Sequence, residues 1–508
     1  MSGEAGSNDQ CPTSKVQSPV ENMSEDRTTE NAFNHVSVPL QIGERKVVLL
    51  ALDLLMLLAG GLTTIALWSA RLGVPIISQL NLFNMKWMGL MAGLWLVLTA
   101  ANNLYSPRVA GHPWLLVRRL VTVALLVMAF YLFVYFVSYP GSAPRYTALI
   151  FAIAVSIFTT LGRIAYLLLL GGRRFRRRAL VVGADERAVM LLQTLLSDLS
   201  ATYVVVGFVD REAGLVGSQV AGLPVLGTPA DLPRLVGEMG ITDVVLGPSG
   251  GRGEGTVRAI LDCYERGVAI IPGEGLYEEI TGRVPLELMG DQWERVLPLG
   301  HLGHGGLYGM AKRCLDVAMA LVGLFVFAVL FPAAALAIYL ESGGPIFYRQ
   351  ARVGFGGRIF QLVKLRTMVK DAEAQGAAVW ATVNDPRVTR VGRILRALMV
   401  DEFPQFYNVL RGDMSMVGPR PERPELVADL EKHIPLYRTR HSVRPGMAGW
   451  ALVNTGYGRS VSDAMVKLQY DLYYIKHQSQ YLDLLIILKT IGRALLFRRG
   501  ETVREHTG

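Results

Sequence analysis

A chain of 508 residues is longer than one hydrophobic core usually organises, so at least two folded parts are expected. Hydrophobic residues make up 51% against 18% charged, and the mean hydropathy is +0.33, which excludes an ordinary soluble protein of this size and calls for membrane segments. The net charge of +9 suits nucleic acid, anionic lipid or phosphorylated substrates, but the basic residues are scattered among membrane flanks and Gly/Pro turns without interleaved aromatics, which excludes a nucleic-acid stacking platform. Cys11, Cys263 and Cys314 are far apart and odd in number, so neither a disulfide framework nor a zinc clamp is expected, only reduced thiols.

Residues 1–44 are rich in Ser, Asn, Glu, Thr and Pro and lack a signal-peptide apolar run, so a disordered tail is expected. Four apolar stretches follow within 45–172, at Lys46–Ala70, Met85–Ala101, Leu120–Tyr139 and Tyr146–Leu170, each near the roughly 20 residues that cross a bilayer. Arg45 and Lys46 precede the first, Arg108, Arg118 and Arg119 lie between the second and third, and Arg173, Arg174, Arg176, Arg177 and Arg178 follow the fourth. The positive-inside rule then puts both termini, and everything after Arg173, in the cytoplasm. Asp53 and Arg163 fall inside these spans, where facing another helix is the plain expectation and a substrate path the alternative.

Over 173–300 short β-rich runs alternate with helical ones: Ala179–Val182, Tyr203–Asp210, Val244–Leu246 and Val268–Ile271. The alternation predicts a Rossmann-like α/β domain with a parallel sheet. The turn Gly183-Ala184-Asp185-Glu186-Arg187-Ala188 offers one glycine of a dinucleotide fingerprint and puts carboxylates where a pyrophosphate would sit. Asp210 stands where a ribose-binding acid would be, so nucleotide binding stays open beside a regulatory or dimerising role.

Within 301–343 a fifth apolar stretch, Leu315–Leu340, follows Lys312 and Arg313 and contains Pro332, which removes a backbone donor and forces a kink. A simple span would strand the rest of the chain outside the cell, although Arg349, Arg352, Arg358, Lys364 and Arg366 crowd its far end. A helix that enters and leaves by one face resolves the conflict. Residues 344–508, dense in Arg, Pro and Gly, are expected to form a mainly α catalytic domain on the membrane surface.

Adjacent Asp401 and Glu402, followed by Pro404, have Arg393, Arg396 and Arg420 nearby in sequence. Such carboxylates could hold a divalent metal or attack phosphorus, while the arginines neutralise phosphate. Several ordered motifs surround them: Lys312-Arg313 with Asp316, Gly344-Pro345-Ile346-Phe347, Arg352-Val353-Gly354, Lys364-Leu365-Arg366-Thr367-Met368 and Asn384-Asp385-Pro386-Arg387. Gly418-Pro419-Arg420-Pro421, Arg444-Pro445-Gly446-Met447-Ala448-Gly449-Trp450, Lys467-Leu468 and Tyr470-Asp471-Leu472-Tyr473-Tyr474 complete the series. In these motifs the region from Lys312 onward resembles the bacterial polyprenyl-phosphate hexose-1-phosphate transferases, the monotopic phosphoglycosyl transferases. The preceding spans and α/β domain, with Tyr277-Glu278 and Gly282-Arg283-Val284-Pro285, resemble the family's large members.

The resemblance implies that Asp401 attacks the sugar-bearing phosphate of a UDP-sugar and expels UMP. Undecaprenyl phosphate then takes the sugar phosphate from the aspartate, which starts exopolysaccharide or O-antigen synthesis. It further implies Mg2+ at Asp401 and Glu402, phosphate or substrate contacts at Lys364, Arg366, Arg420, Arg444 and Asp471, a location in the bacterial inner membrane, and a possible homodimer. Glucose or galactose is the expected sugar. The chain departs from the family pattern at Val400 and Phe403, where leucines are usual, at Met447-Ala448, where Ile-Thr is common, and at Phe331-Pro332, where the break is often Ser-Pro. Two rival readings are a non-catalytic membrane scaffold or sensor and an NAD-dependent nucleotide-sugar enzyme; the latter needs an intact glycine fingerprint and a Tyr-x-x-x-Lys type pair, and the turn at Gly183 lacks the former.

Overall fold

The computed structural model describes residues 42–73, 82–102, 113–137, 145–170, 176–199, 202–289, 306–370, 385–455 and 460–495, less a few isolated positions within these stretches and with a few between them. The tail through residue 41, with Cys11, and Arg108, Arg173 and Arg174 lie outside the described residues. Four apolar helices come first: α1 (Ile42–Leu72), α2 (Leu82–Ala101), α3 (Pro113–Val137) and α4 (Arg145–Leu170). Among the described residues α1, α3 and α4 contain stretches long and apolar enough to cross a membrane, while α2 contributes a shorter apolar run, Gly89–Ala101.

Small residues let α1 and α4 pack closely. A β-carbon at Gly60 would lie 2.7 Å from Val155 Cγ2, and one at Gly162 would lie 2.9 Å from Met56 Cγ. The two charges read from the sequence meet across this contact: Arg163 donates to Asp53 at 2.7 Å and to the Leu104 carbonyl at 3.3 Å, with both side chains buried. Asp53 and Arg163 thus satisfy each other between helices, as the plain expectation had it.

The α/β region contains β1 (Arg177–Val182), α5 (Glu186–Leu199), β2 (Tyr203–Val209), β3 (Gln219–Val220), β4 (Leu223–Gly227), α6 (Leu232–Met239), β5 (Asp243–Leu246), α7 (Glu254–Glu265) and β6 (Ala269–Pro272). The sheet runs β3-β4-β2-β1-β5-β6, parallel except for the β3–β4 hairpin. Buried aliphatic positions fill both faces of β1 and β5, as expected for strands covered by helices on each side.

Two short helices, α8 (Gly273–Thr281) and α9 (Leu286–Met289), then carry the chain onto the C-terminal region. Val284 is fully buried in that region's core, its amide donates to the Gln469 carbonyl, and the Gly282 carbonyl accepts from Trp450 Nε1 at 2.7 Å. Glu278, itself buried, is held by Lys476 Nζ at 2.8 Å and His477 Nε2 at 3.0 Å.

The long helix α10 (Leu307–Ser342) includes Pro332 and starts eight residues before the apolar stretch read from the sequence. After it come an antiparallel hairpin, β7 (Phe347–Val353) and β8 (Ile359–Leu365), then α11 (Arg390–Ala397), α12 (Gln405–Arg411), β9 (Ser415–Val417) and α13 (Pro424–His433). The chain ends in β10 (Gly446–Ala448), parallel to β9, followed by α14 (Trp450–Asn454), α15 (Val461–Lys476) and α16 (Gln480–Leu495). The region is mainly helical, as expected.

This region grips α10 at both ends. Near the start, Lys312 donates to Asp483 and Tyr474, Arg313 donates to the Val409 and Leu410 carbonyls that end α12, and Asp316 accepts from Ser415 Oγ and the Met416 amide. Near the finish, Arg366 donates to the carbonyls of Ser342 and Gly343, where a cation complements the negative end of a helix. Glu341 accepts from the Arg390 and Val391 amides and so caps α11. In between, Gly323 lets the Phe406 ring approach to within 2.4 Å of where a β-carbon would sit, and Phe327 packs on Phe403.

Candidate active site

The carboxylate pair sits on a short 3-10 turn, Val400–Glu402, between α11 and α12. Thr389 starts α11 by accepting the Gly392 amide, and the helix stops where Met399 takes a left-handed backbone, φ +58°. That turn drops Val400 into the apolar cluster of Phe327, Ile338, Leu365 and Leu395 against α10. The next two side chains, Asp401 and Glu402, are thereby fixed; Asp401 is 7% exposed.

Two of the cations singled out in the sequence converge on Glu402 here. Lys364, from the end of β8, donates to Glu402 Oε1 at 3.2 Å, and Arg420 donates to the same oxygen at 2.9 Å. Burial alone would push the Glu402 carboxyl up, but Lys364 and Arg420 overcome it and hold the group well below the usual carboxylate range. Burial pulls the Lys364 ammonium down, with Glu402 opposing. Glu402 is therefore a fixed anion that orients two cations, and it is poorly suited to moving protons near neutral pH.

Both contacts to Glu402 use Oε1. Among the described residues no group of three or more His, Cys, Asp or Glu side chains is placed to hold a metal ion. Magnesium is ordinarily held by one or two carboxylates with phosphate oxygens and waters completing its shell, and Asp401 with Glu402 match that smaller requirement.

The remaining candidates make contacts of their own. Arg366 is buried at the end of α10, and Arg444 is exposed, its carbonyl oxygen 2.3 Å from where a β-carbon at Gly418 would sit. Asp471, only 1% exposed, accepts from Arg440 at 2.8 Å, and burial pushes its carboxyl up to about 6 against the pull of Arg440. In the Asp385-Pro386-Arg387 turn, Arg387 bonds to Asp385 and holds that carboxyl down at about 2.

The sequence reading passed over Arg440 and Asn408. Asn408 donates to the Gln361 carbonyl and accepts from the Val363 amide, which ties α12 to β8 and so fixes Lys364 relative to the dyad. Its place two turns after Glu402, flanked by apolar residues, was the available signal, since a buried amide must satisfy several hydrogen bonds.

In the sheet region, the end of the first strand is closely approached by other parts of the chain. The Asp210 carboxylate is turned onto the Ala184 and Glu212 amides, and a β-carbon at Gly250 would lie 1.8 Å from the Val182 carbonyl oxygen. Gly250, in the loop after β5, thus lies close against the end of β1.

Comparison with known proteins gives two family matches. Residues 307–497 match the model of the family described as bacterial sugar transferase, and residues 100–247 match one described as a CoA-binding domain. The chain is 44% identical over 238 residues to the UDP-N-acetylgalactosamine-undecaprenyl-phosphate N-acetylgalactosaminephosphotransferase of Aeromonas hydrophila, covering 47% of this chain and 55% of that protein. It is 33% identical over 342 residues to the undecaprenyl-phosphate glucose phosphotransferase of Komagataeibacter xylinus, covering 65% and 61%. To a UDP-glucose:undecaprenyl-phosphate glucose-1-phosphate transferase of Caulobacter vibrioides it is 46% identical over 188 residues, covering 37% and 70%. The chain thus spans between 55% and 61% of the length of the first two of these relatives. With its apolar helices, its parallel sheet and a cation-clamped carboxylate pair inside the matched C-terminal region, this membrane protein belongs to the bacterial sugar transferase family.

Proposed function

We propose that this protein transfers a sugar-1-phosphate from a UDP-sugar to undecaprenyl phosphate, in the bacterial inner membrane with the catalytic region cytoplasmic. The observation that carries the reading is the Asp401–Glu402 turn, buried against α10 and faced by Lys364 and Arg420. Asp401 attacks the sugar-bearing phosphorus; a bond forms between its carboxylate oxygen and phosphorus, and the bond to the bridging oxygen breaks, so that UMP leaves with the electron pair. An oxygen of undecaprenyl phosphate then attacks the same phosphorus and displaces the aspartate. Lys364 and Arg420 are preset to neutralise the phosphate oxygens, the main requirement of phosphoryl transfer. Asp401 and Glu402 would hold magnesium, which supplies further neutralisation of the diphosphate.

The same reading makes α10 re-entrant. At about 1.5 Å per residue its 36 residues extend well beyond a hydrocarbon core of about 30 Å, yet partners for both ends come from one region of the chain. Its outward side carries exposed Leu321, Val322, Phe325, Val329, Leu336 and Leu340, a surface suited to lipid. Two sugars occur in the names of the relatives above, N-acetylgalactosamine and glucose, so the donor panel includes both, with galactose. The test is UMP release from that panel by purified protein with magnesium and undecaprenyl phosphate. Release that needs the lipid and is lost in Asp401→Ala is expected; no release from any donor, or equal release by the variant, overturns the reading and favours a scaffold.

A further inference from the structure

Arg420 reaches Glu402 from a loop that cannot hold itself. Pro419 and Pro421 flank it and have no amide hydrogen to donate, so the loop depends on what its carbonyls receive. All four consecutive carbonyls are taken by donors from other parts of the chain. Pro419 accepts from the Gly446 amide at 2.9 Å, Arg420 from the Arg440 guanidinium at 3.1 Å, Pro421 from the Arg352 guanidinium at 3.1 Å, and Glu422 from the Val353 amide at 3.0 Å.

Arg440 is the most committed of these donors. It is 6% exposed, and the same guanidinium bonds to Asp471 Oδ2 at 2.8 Å and Tyr437 Oη at 2.5 Å. A buried ion pair is weak evidence for stability as such, because desolvating both charges offsets most of their attraction. Here the pair has a geometric output: it aims an N–H at the main-chain oxygen of the residue whose side chain grips the dyad.

The geometry points to Arg440 as a positioning residue for sugar-phosphate transfer, oriented by Asp471 and Tyr437, which fixes the Arg420 backbone so that its guanidinium meets Glu402. This rests on the function proposed above. It also gives Asp471 a role through Arg440, in place of direct contact with substrate.

The test measures UMP release, kcat and KM separately, for Arg420→Ala, for the charge-free pair Arg440→Met with Asp471→Leu, and for the triple variant. Removing both charges avoids stranding a buried Asp471, and a melting temperature near the native value is expected. Arg420→Ala should lower kcat by about 100-fold and the charge-free pair by about 10-fold or more, each with the UDP-sugar KM within about threefold of native. Adding Arg420→Ala to the pair should then cost far less than 100-fold, because a misplaced Arg420 has little left to lose. Asp471→Asn, which keeps an acceptor for Arg440, should retain most of the rate.

A charge-free pair that works at the native rate, or an Arg420→Ala cost that is the same in both backgrounds, overturns the inference. So does a charge-free pair that fails to fold, since the pair would then serve the core itself. A native protein that releases no UMP overturns the functional reading and takes this inference with it, whereas an active native protein with additive variants overturns this inference alone.

Discussion

The parallel-sheet region and the C-terminal region use their acidic side chains in opposite ways. In the parallel-sheet region, Asp210 at the end of β2 is folded back onto main-chain amides, and Gly250 closes backbone against backbone beside β1. In the C-terminal region, Glu402 is held ionised by two cations from distant segments, beside a largely buried Asp401. A carboxylate bonded to local amides stabilises a turn; one held between two preset cations keeps a field ready for an incoming phosphate. The difference separates a carboxylate that closes a turn from one that is held between cations.

The largest effect that could break this contrast is at Lys364. Lys364→Met removes one of the two cations facing Glu402 while keeping the side chain's length, and it should lower the rate of UMP release by about 100-fold or more, read in a coupled assay on detergent-solubilised protein. A loss of less than threefold would mean that the clamp is structural and that the contrast fails. The smaller effect is at Asp210. Asp210→Ala should cost about 1 to 2 kcal/mol of stability by freeing two amide donors, seen as a lowered melting temperature, with UMP release within about twofold of native. A large drop in rate with an unchanged melting temperature would move chemistry into the sheet region.

The elements with strong local patterns were legible in the sequence. The strand expected at Ala179–Val182 is part of β1, Arg177–Val182, because an apolar run closed by a glycine is locally specified. The β3–β4 hairpin was missed, since Gln219–Val220 is too short to show a period. Lys312, Arg313 and Asp316 stand out as a motif, yet nothing local reveals that they bond to segments about 100 residues or more away and anchor α10. The same holds for the pairing of Asp471: its partner Arg440 lies 31 residues earlier, in a run of basic residues that resembles a solvated surface. Adjacent carboxylates announce themselves in a sequence; the residues that aim their partners do not.

The central claim is that Asp401 carries the sugar phosphate, and the most direct measurement is the mass of the peptide containing residue 401 after rapid quenching with UDP-sugar and magnesium in the absence of undecaprenyl phosphate. The account predicts a hexose-phosphate or N-acetylhexosamine-phosphate adduct on Asp401 that disappears when undecaprenyl phosphate is added. Brisk UMP release in the full reaction, with an unmodified Asp401 peptide throughout, would contradict it.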